Sequence, residues 1–156
     1  MLNSSTEKYI SDAVNEYSDT VFRVAFQYTK NRFDAEDILQ EVFLQLLKVL
    51  PTQYVDDGLK AWLIRVTINK SKDFLRAVKR RRNAKRDYVP SVRTSIYEDV
   101  FAALDKLSER DRNAIYLHYY EGYTAREIAE IIGGNERAVT KRICRAREKL
   151  KDFLKE

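Results

Sequence analysis

The chain has 156 residues, 44% hydrophobic and 34% charged with a net charge of +5, which suffices for one ordinary domain or two small ones. Four Gly and two Pro disfavour an all-β sandwich with its many tight turns. One His and one Cys exclude a multi-ligand zinc site, an internal disulfide and any Ser-His-Asp triad without His118.

Apolar residues recur at helical spacing almost throughout, and no stretch alternates like a strand for long. A first helix is predicted from about Glu7 to Lys30, with Ile10, Ala13, Val14, Tyr17, Val21, Val24, Ala25 and Tyr28 inward. Asp34 is the expected N-cap of a second helix, with Glu36 and Asp37 in a first turn where the dipole favours carboxylates. That helix turns Ile38, Leu39, Val42, Phe43, Leu46 and Leu47 inward until Pro51 stops it. A loop from Pro51 to Gly58 follows. The third helix then runs from about Leu59 into the basic tract Lys79-Arg80-Arg81-Arg82.

Residues 83–95 lose apolar periodicity and contain the second proline, so they read as a flexible basic linker. Beyond it, Ile96, Val100, Phe101, Leu104 and Leu107 mark a fourth helix, and Ser108 caps a fifth that ends at Gly122. Thr124 and Glu127 form a capping box, each satisfying an orphan backbone N–H. The turn Gly133-Gly134 and the cap Asn135 lead into a last helix from Glu136 to about Leu154. The expected fold is all-α: a domain over 1–82, a linker over 83–95, and a second domain over 96–156.

Charge is distributed unevenly along this layout. Residues 1–58 carry a net −5, residues 59–93 +10, residues 94–135 −4 and residues 136–156 +4. Two separated basic blocks suit two contacts with a polyanion, because each neutralised phosphate releases counterions. Solvated surface helices share that pattern.

The last two predicted helices narrow the choice. A short capped helix, a glycine turn and a second capped helix rich in Arg and Lys is the pattern of a helix-turn-helix. With Val139, Ile143, Ala146 and Leu150 inward, Arg137, Lys141, Cys144, Arg145 and Glu148 face outward, flanked by Thr140 and Arg142. Arg and Lys there suit guanine edges or phosphates, and Thr140 suits a base edge or thymine methyl. On the third helix, Leu63, Ile64, Thr67, Ile68, Phe74, Leu75 and Val78 cluster on one side. Trp62, Arg65, Asn69, Lys72 and Arg76 share the other, a stripe suited to a separated strand. Trp62 is equally suited to packing.

These segments together resemble one family. EGYTAREIAEIIGGNERAVTKRICRAREKL resembles the fourth conserved region of extracytoplasmic-function sigma factors, their promoter-reading helix-turn-helix. FAALDKLSERDRNAIYLHYY resembles the first half of that domain, and DAEDILQEVFLQLLK with LKAWLIRVTINKSKDFLR resembles the second conserved region. The order and spacing are the family's.

The resemblance implies a dissociable subunit of RNA polymerase that recognises promoters and promotes strand opening, with no catalysis, metal or cofactor of its own. It places binding to the clamp helices of the largest polymerase subunit on Glu36, Asp37, Gln40 and Glu41. Melted minus-ten DNA falls to Trp62, Arg65, Asn69, Lys72 and Arg76 with the loop Thr52–Gly58. The minus-thirty-five duplex falls to Arg137, Thr140, Lys141, Arg142 and Arg145. Further implied partners are the polymerase flap and an anti-sigma factor.

The chain departs from the family pattern at three places. Gly134 stands where an apolar residue is usual, Leu107-Ser108 replaces the frequent Leu-Pro, and positions 137–141 read Arg-Ala-Val-Thr-Lys. The competing reading is a stand-alone helix-turn-helix regulator that binds duplex DNA as a dimer; it leaves the acidic second helix and the polar stripe of the third without a role. No apolar run approaches the ~18 residues of a membrane span, and the start MLNSSTEKYI lacks a signal-peptide core. A cytoplasmic protein is expected.

Overall fold

A computed structural model describes residues 4–50, 58–85 and 98–154, with helices α1 (Ser4–Thr29), α2 (Arg32–Val49), α3 (Leu59–Lys85), α4 (Glu98–Asp105), α5 (Glu109–Tyr119), α6 (Ala125–Ile132) and α7 (Glu136–Leu154). The described residues contain no strand. The chain divides into two units, Met1–Val92 and Arg93–Glu156.

In the first unit α1, α2 and α3 pack on one another. Val21, Val24, Ala25 and Tyr28 recur at helical spacing and are all buried. Val21 and Ala25 join a core cluster that includes Ile38, Val42, Phe43, Leu46, Leu59 and Leu63. The α1–α2 connection takes two residues. Lys30 adopts a left-handed φ of 54° and its N–H donates to the Phe26 carbonyl at 2.8 Å, closing the end of α1.

The start of α2 corrects the predicted cap. Asn31, not Asp34, is the N-cap: its Oδ1 accepts from the N–H groups of Phe33 at 2.9 Å and Asp34 at 3.2 Å. Both residue types cap well, but α1 ends at Thr29, and only Asn31 is close enough to it to begin the next helix. Glu36 and Asp37 therefore stand in the second turn, beyond the strongest part of the dipole.

Helix α3 also continues past its expected end, taking in 83–85. Ala84 and Lys85 are good helix formers, and the loss of an apolar stripe does not by itself end a helix. The rest of the predicted linker, 86–95, and the loop positions 51–57 lie outside the described residues. Leu75, expected inward, is 38% exposed.

The second unit keeps its predicted N-caps, whereas α5 ends at Tyr119, before the predicted Gly122. Ser108 Oγ accepts from the Asp111 N–H at 3.2 Å at the head of α5. The capping box is complete: Thr124 N–H donates to Glu127 Oε1 at 3.1 Å, and Glu127 N–H donates to Thr124 Oγ1 at 3.2 Å. Gly133 and Gly134 have φ of 92° and 96°, which explains glycine at both positions, since a side chain is strained there. Asn135 Oδ1 accepts from the Ala138 N–H at 2.8 Å and opens α7. Leu117, Ile128, Ile131, Val139, Ile143 and Ala146 are buried, so α7 is held by α5 and α6.

Candidate nucleic-acid interface

Helix α7 carries its cations on the faces its core contacts leave open. Arg137, Thr140 and Lys141 are exposed in its first two turns, and with Asn135 and Glu136 they line an open concavity. Thr140 Oγ1 donates to the Glu136 carbonyl at 2.9 Å, one turn back, so the hydroxyl is satisfied while the methyl stays available. Cys144 is a free, exposed thiol.

Two members of the predicted recognition set are engaged inside the protein. Arg145 Nη2 donates to Asp111 Oδ1 at 2.8 Å and its Nε donates to Oδ2 at 3.1 Å, a two-bond fork. Arg142 Nη1 donates to the same Oδ1 at 3.3 Å. The side chain of Asp111 is 2% exposed, that of Arg142 26% and that of Arg145 51%. The fork to Arg145 holds the Asp111 carboxyl below its ordinary 3.8, outweighing the opposite effect of burial. Arg142 is thus a structural partner of Asp111, with a quarter of its side chain left exposed. Arg145 is at once tethered and half exposed. Sequence reasoning missed Asp111, because a carboxylate in the first turn of α5 is sufficiently explained by the helix dipole.

On α3, Arg65 and Asn69 are exposed and Lys72 is half-buried on the same face. Arg76 continues this row but is paired with Asp73 one turn back. Trp62 leaves the stripe: it is half-buried and packs against the core of the first unit. The predicted indole platform thus serves in packing, with part of the ring surface left open. Farther along, Arg76, Lys79 and Arg80 form a basic surface interrupted only by Asp73.

On α2, Asp37, Gln40 and Glu41 are exposed, whereas Glu36 is half-buried and accepts from Arg32 Nε at 3.1 Å. Two apolar residues missed by the sequence reading complete this face. Phe33 is 74% exposed and Leu44 55% exposed. Positions 33, 37, 40, 41 and 44 fall within one stripe of a helix. A polar surface helix does not need a phenylalanine and a leucine there; a protein-binding face does. Their spacing to the acidic set was the available signal.

The lone histidine is structural. His118 is half-buried, with Nδ1 2.9 Å from the Tyr123 carbonyl and its ring edge-on to Tyr119. Tyr119 and Tyr120 are 57% and 60% exposed, beside an apolar groove that Leu104, Ile115, Arg147 and Leu150 help to line.

A three-helix unit with an acidic and a basic helix, followed by a helix-turn-helix unit, is the architecture of a two-part DNA-binding protein. Residues 13–82 match the family described as Sigma-70 region 2, and residues 97–150 match Sigma-70, region 4. The RNA polymerase sigma factor SigV of Bacillus subtilis is 30% identical over 147 residues, covering 91% of this chain and 89% of that protein. The ECF RNA polymerase sigma factor SigE of Mycolicibacterium smegmatis is 31% identical over 92% of this chain, which spans 60% of that relative's length. In fold, the chain is similar to the sigma factor RpoE of Bartonella quintana, solved with the anti-sigma factor NepR. That likeness has a TM-score of 0.82 at 23% identity and covers 95% of this chain and 98% of that one. The chain belongs to the extracytoplasmic-function sigma factors of RNA polymerase. Because the likeness to SigV runs through both units, the stand-alone regulator is set aside.

Proposed function

We propose that the two units divide the work of initiation. The exposed face of α2, with Asp37, Gln40 and Glu41 between Phe33 and Leu44, docks on core polymerase. Carboxylates give complementarity to a basic partner helix and the two apolar residues supply buried area. The α3 row Arg65, Asn69 and Lys72 receives the melted strand, with the cations on phosphates and the amide on an unstacked base. The exposed start of α7, through Arg137, Thr140 and Lys141, reads the upstream duplex in the major groove. The factor itself catalyses nothing and works where the polymerase is, in the cytoplasm. An anti-sigma factor, of the kind solved in complex with RpoE, would silence it by covering these faces.

The observation that carries this reading is the face of α2. Its exposed apolar residues and carboxylates belong to the same helix that anchors the core through Ile38, Val42 and Leu46. A duplex-DNA regulator has no use for such a face. The test is nuclease protection of promoter DNA by the purified chain with and without core polymerase. Protection only in the presence of core supports the division of work; equal protection by the chain alone overturns it.

A further inference from the structure

The tether between α5 and α7 has a geometry that a purely structural ion pair does not require. Arginine carries five N–H donors in a planar fork. Asp111 takes the Nε–H and one Nη2–H of Arg145. Both hydrogens on Nη1 and the second on Nη2 remain, and one from each nitrogen forms the terminal edge of the guanidinium. The carboxylate is buried while Arg145 is half exposed, so the used edge faces inward and the terminal edge is left uncommitted to Asp111. Lys141, one turn earlier on α7, is exposed on the same side. A terminal guanidinium edge is the geometry that pairs with O6 and N7 of guanine.

We propose that Asp111 is a positioning residue: buried in α5, it clamps Arg145 from behind and presents the free edge of that guanidinium to a guanine in the major groove. The proposal rests on the reading that α7 enters promoter DNA. Arg142 completes the arrangement. With two guanidiniums on one carboxylate the cluster stays net positive, so Asp111 does not repel the phosphate backbone. A guanidinium already held on one side loses little freedom when it binds a base. Asp111 thereby turns a flexible surface cation into a base-reading group.

The test uses the full chain with core polymerase, first on a randomised duplex library, then on the selected duplex and its single-base-pair variants. Asp111→Asn and Arg145→Gln should each lose discrimination at the same base pair, by about five- to a hundredfold. The double variant should lose no more than either alone. Arg145→Lys should lose that discrimination too while keeping the salt dependence, because it retains the charge but not the planar edge. A pair with a structural role alone would leave base preference unchanged, whatever its effect on the melting temperature. Full discrimination in folded Asp111→Asn, or in Arg145→Lys, overturns the proposal, as does loss at two different base pairs. Should Asp111→Asn not hold its fold, Asp111→Glu replaces it, moving the carboxylate by one methylene. Reduced discrimination at the Arg145 base pair is then expected, and full discrimination overturns the proposal. A wild-type chain that selects no duplex at all with core overturns the DNA-reading role of α7, and this inference falls with it.

Discussion

Arg145 on α7 reaches Asp111 on α5 through two hydrogen bonds of 2.8 and 3.1 Å, joining residues 34 positions apart in sequence. The pair fastens α7 to α5, and it does so through a carboxylate with almost no access to water. Hydrogen bonds to charged groups stabilise more than neutral ones. Half of Arg145 is in solvent, which screens the pair and reduces its contribution.

A pH dependence follows. Because Asp111 binds its proton less readily when folded than at its ordinary 3.8, the unfolded chain takes up more protons and stability rises with pH. The contribution is complete above about pH 5 and is lost as pH falls through the lower folded value. Arg145 stays protonated throughout, its affinity for protons raised by Asp111. Melting of the wild type and Asp111→Asn by circular dichroism should differ most at pH 5–7 and converge as the pH falls below the ordinary carboxylate range. An unchanged gap in strong acid would rule out Asp111 as the source.

The corrected cap on α2 gives a second expectation. Asn31→Ala should destabilise the first unit by about 1 kcal/mol, lowering its midpoint by roughly 4–8 °C for a small domain. Asp34→Ala removes no cap and should cost only a few tenths of a kcal/mol of dipole interaction. Equal losses from the two substitutions would return the cap to Asp34.

Reversing charge on α2 separates docking from folding. Asp37 and Glu41 are exposed, so Asp37→Arg with Glu41→Arg should change stability by within about 0.5 kcal/mol per site. Pull-down with core polymerase should nevertheless fall at least tenfold. Phe33→Ser should weaken it as well, through lost apolar contact. Normal recovery of core by the folded charge-reversed variant would remove α2 from the interface.

Strand opening is the step assigned to α3. Asn69→Ala with Lys72→Ala should leave core binding intact and lose open complexes on duplex promoters. Capture of a flipped base must offset a few kcal/mol of unstacking, so a pre-melted bubble should restore part of the activity. Permanganate reactivity of unpaired thymines measures the effect. Full reactivity in the double variant would show that this face does not hold the melted strand.

Local signals alone were enough for the seven helices, for the caps at Ser108, Thr124 and Asn135, and for the inward stripe of α7. Each of these depends on residues within about four positions of one another, where backbone geometry leaves little freedom. The same locality misplaced the cap of α2, where Asn31 and Asp34 both satisfy the chemistry and only the end of α1 at Thr29 distinguishes them. What the faces do with their side chains was a matter for tertiary packing. A helical wheel puts Trp62 among the solvent-side residues of α3, yet the neighbouring helices of the first unit offer it apolar contact and draw it toward the core. It likewise shows Arg142 and Arg145 as outward cations, because nothing in their own helix reveals the buried carboxylate waiting on α5. Charge pairing across helices depends on which turns packing brings within 4 Å, and no periodicity encodes that.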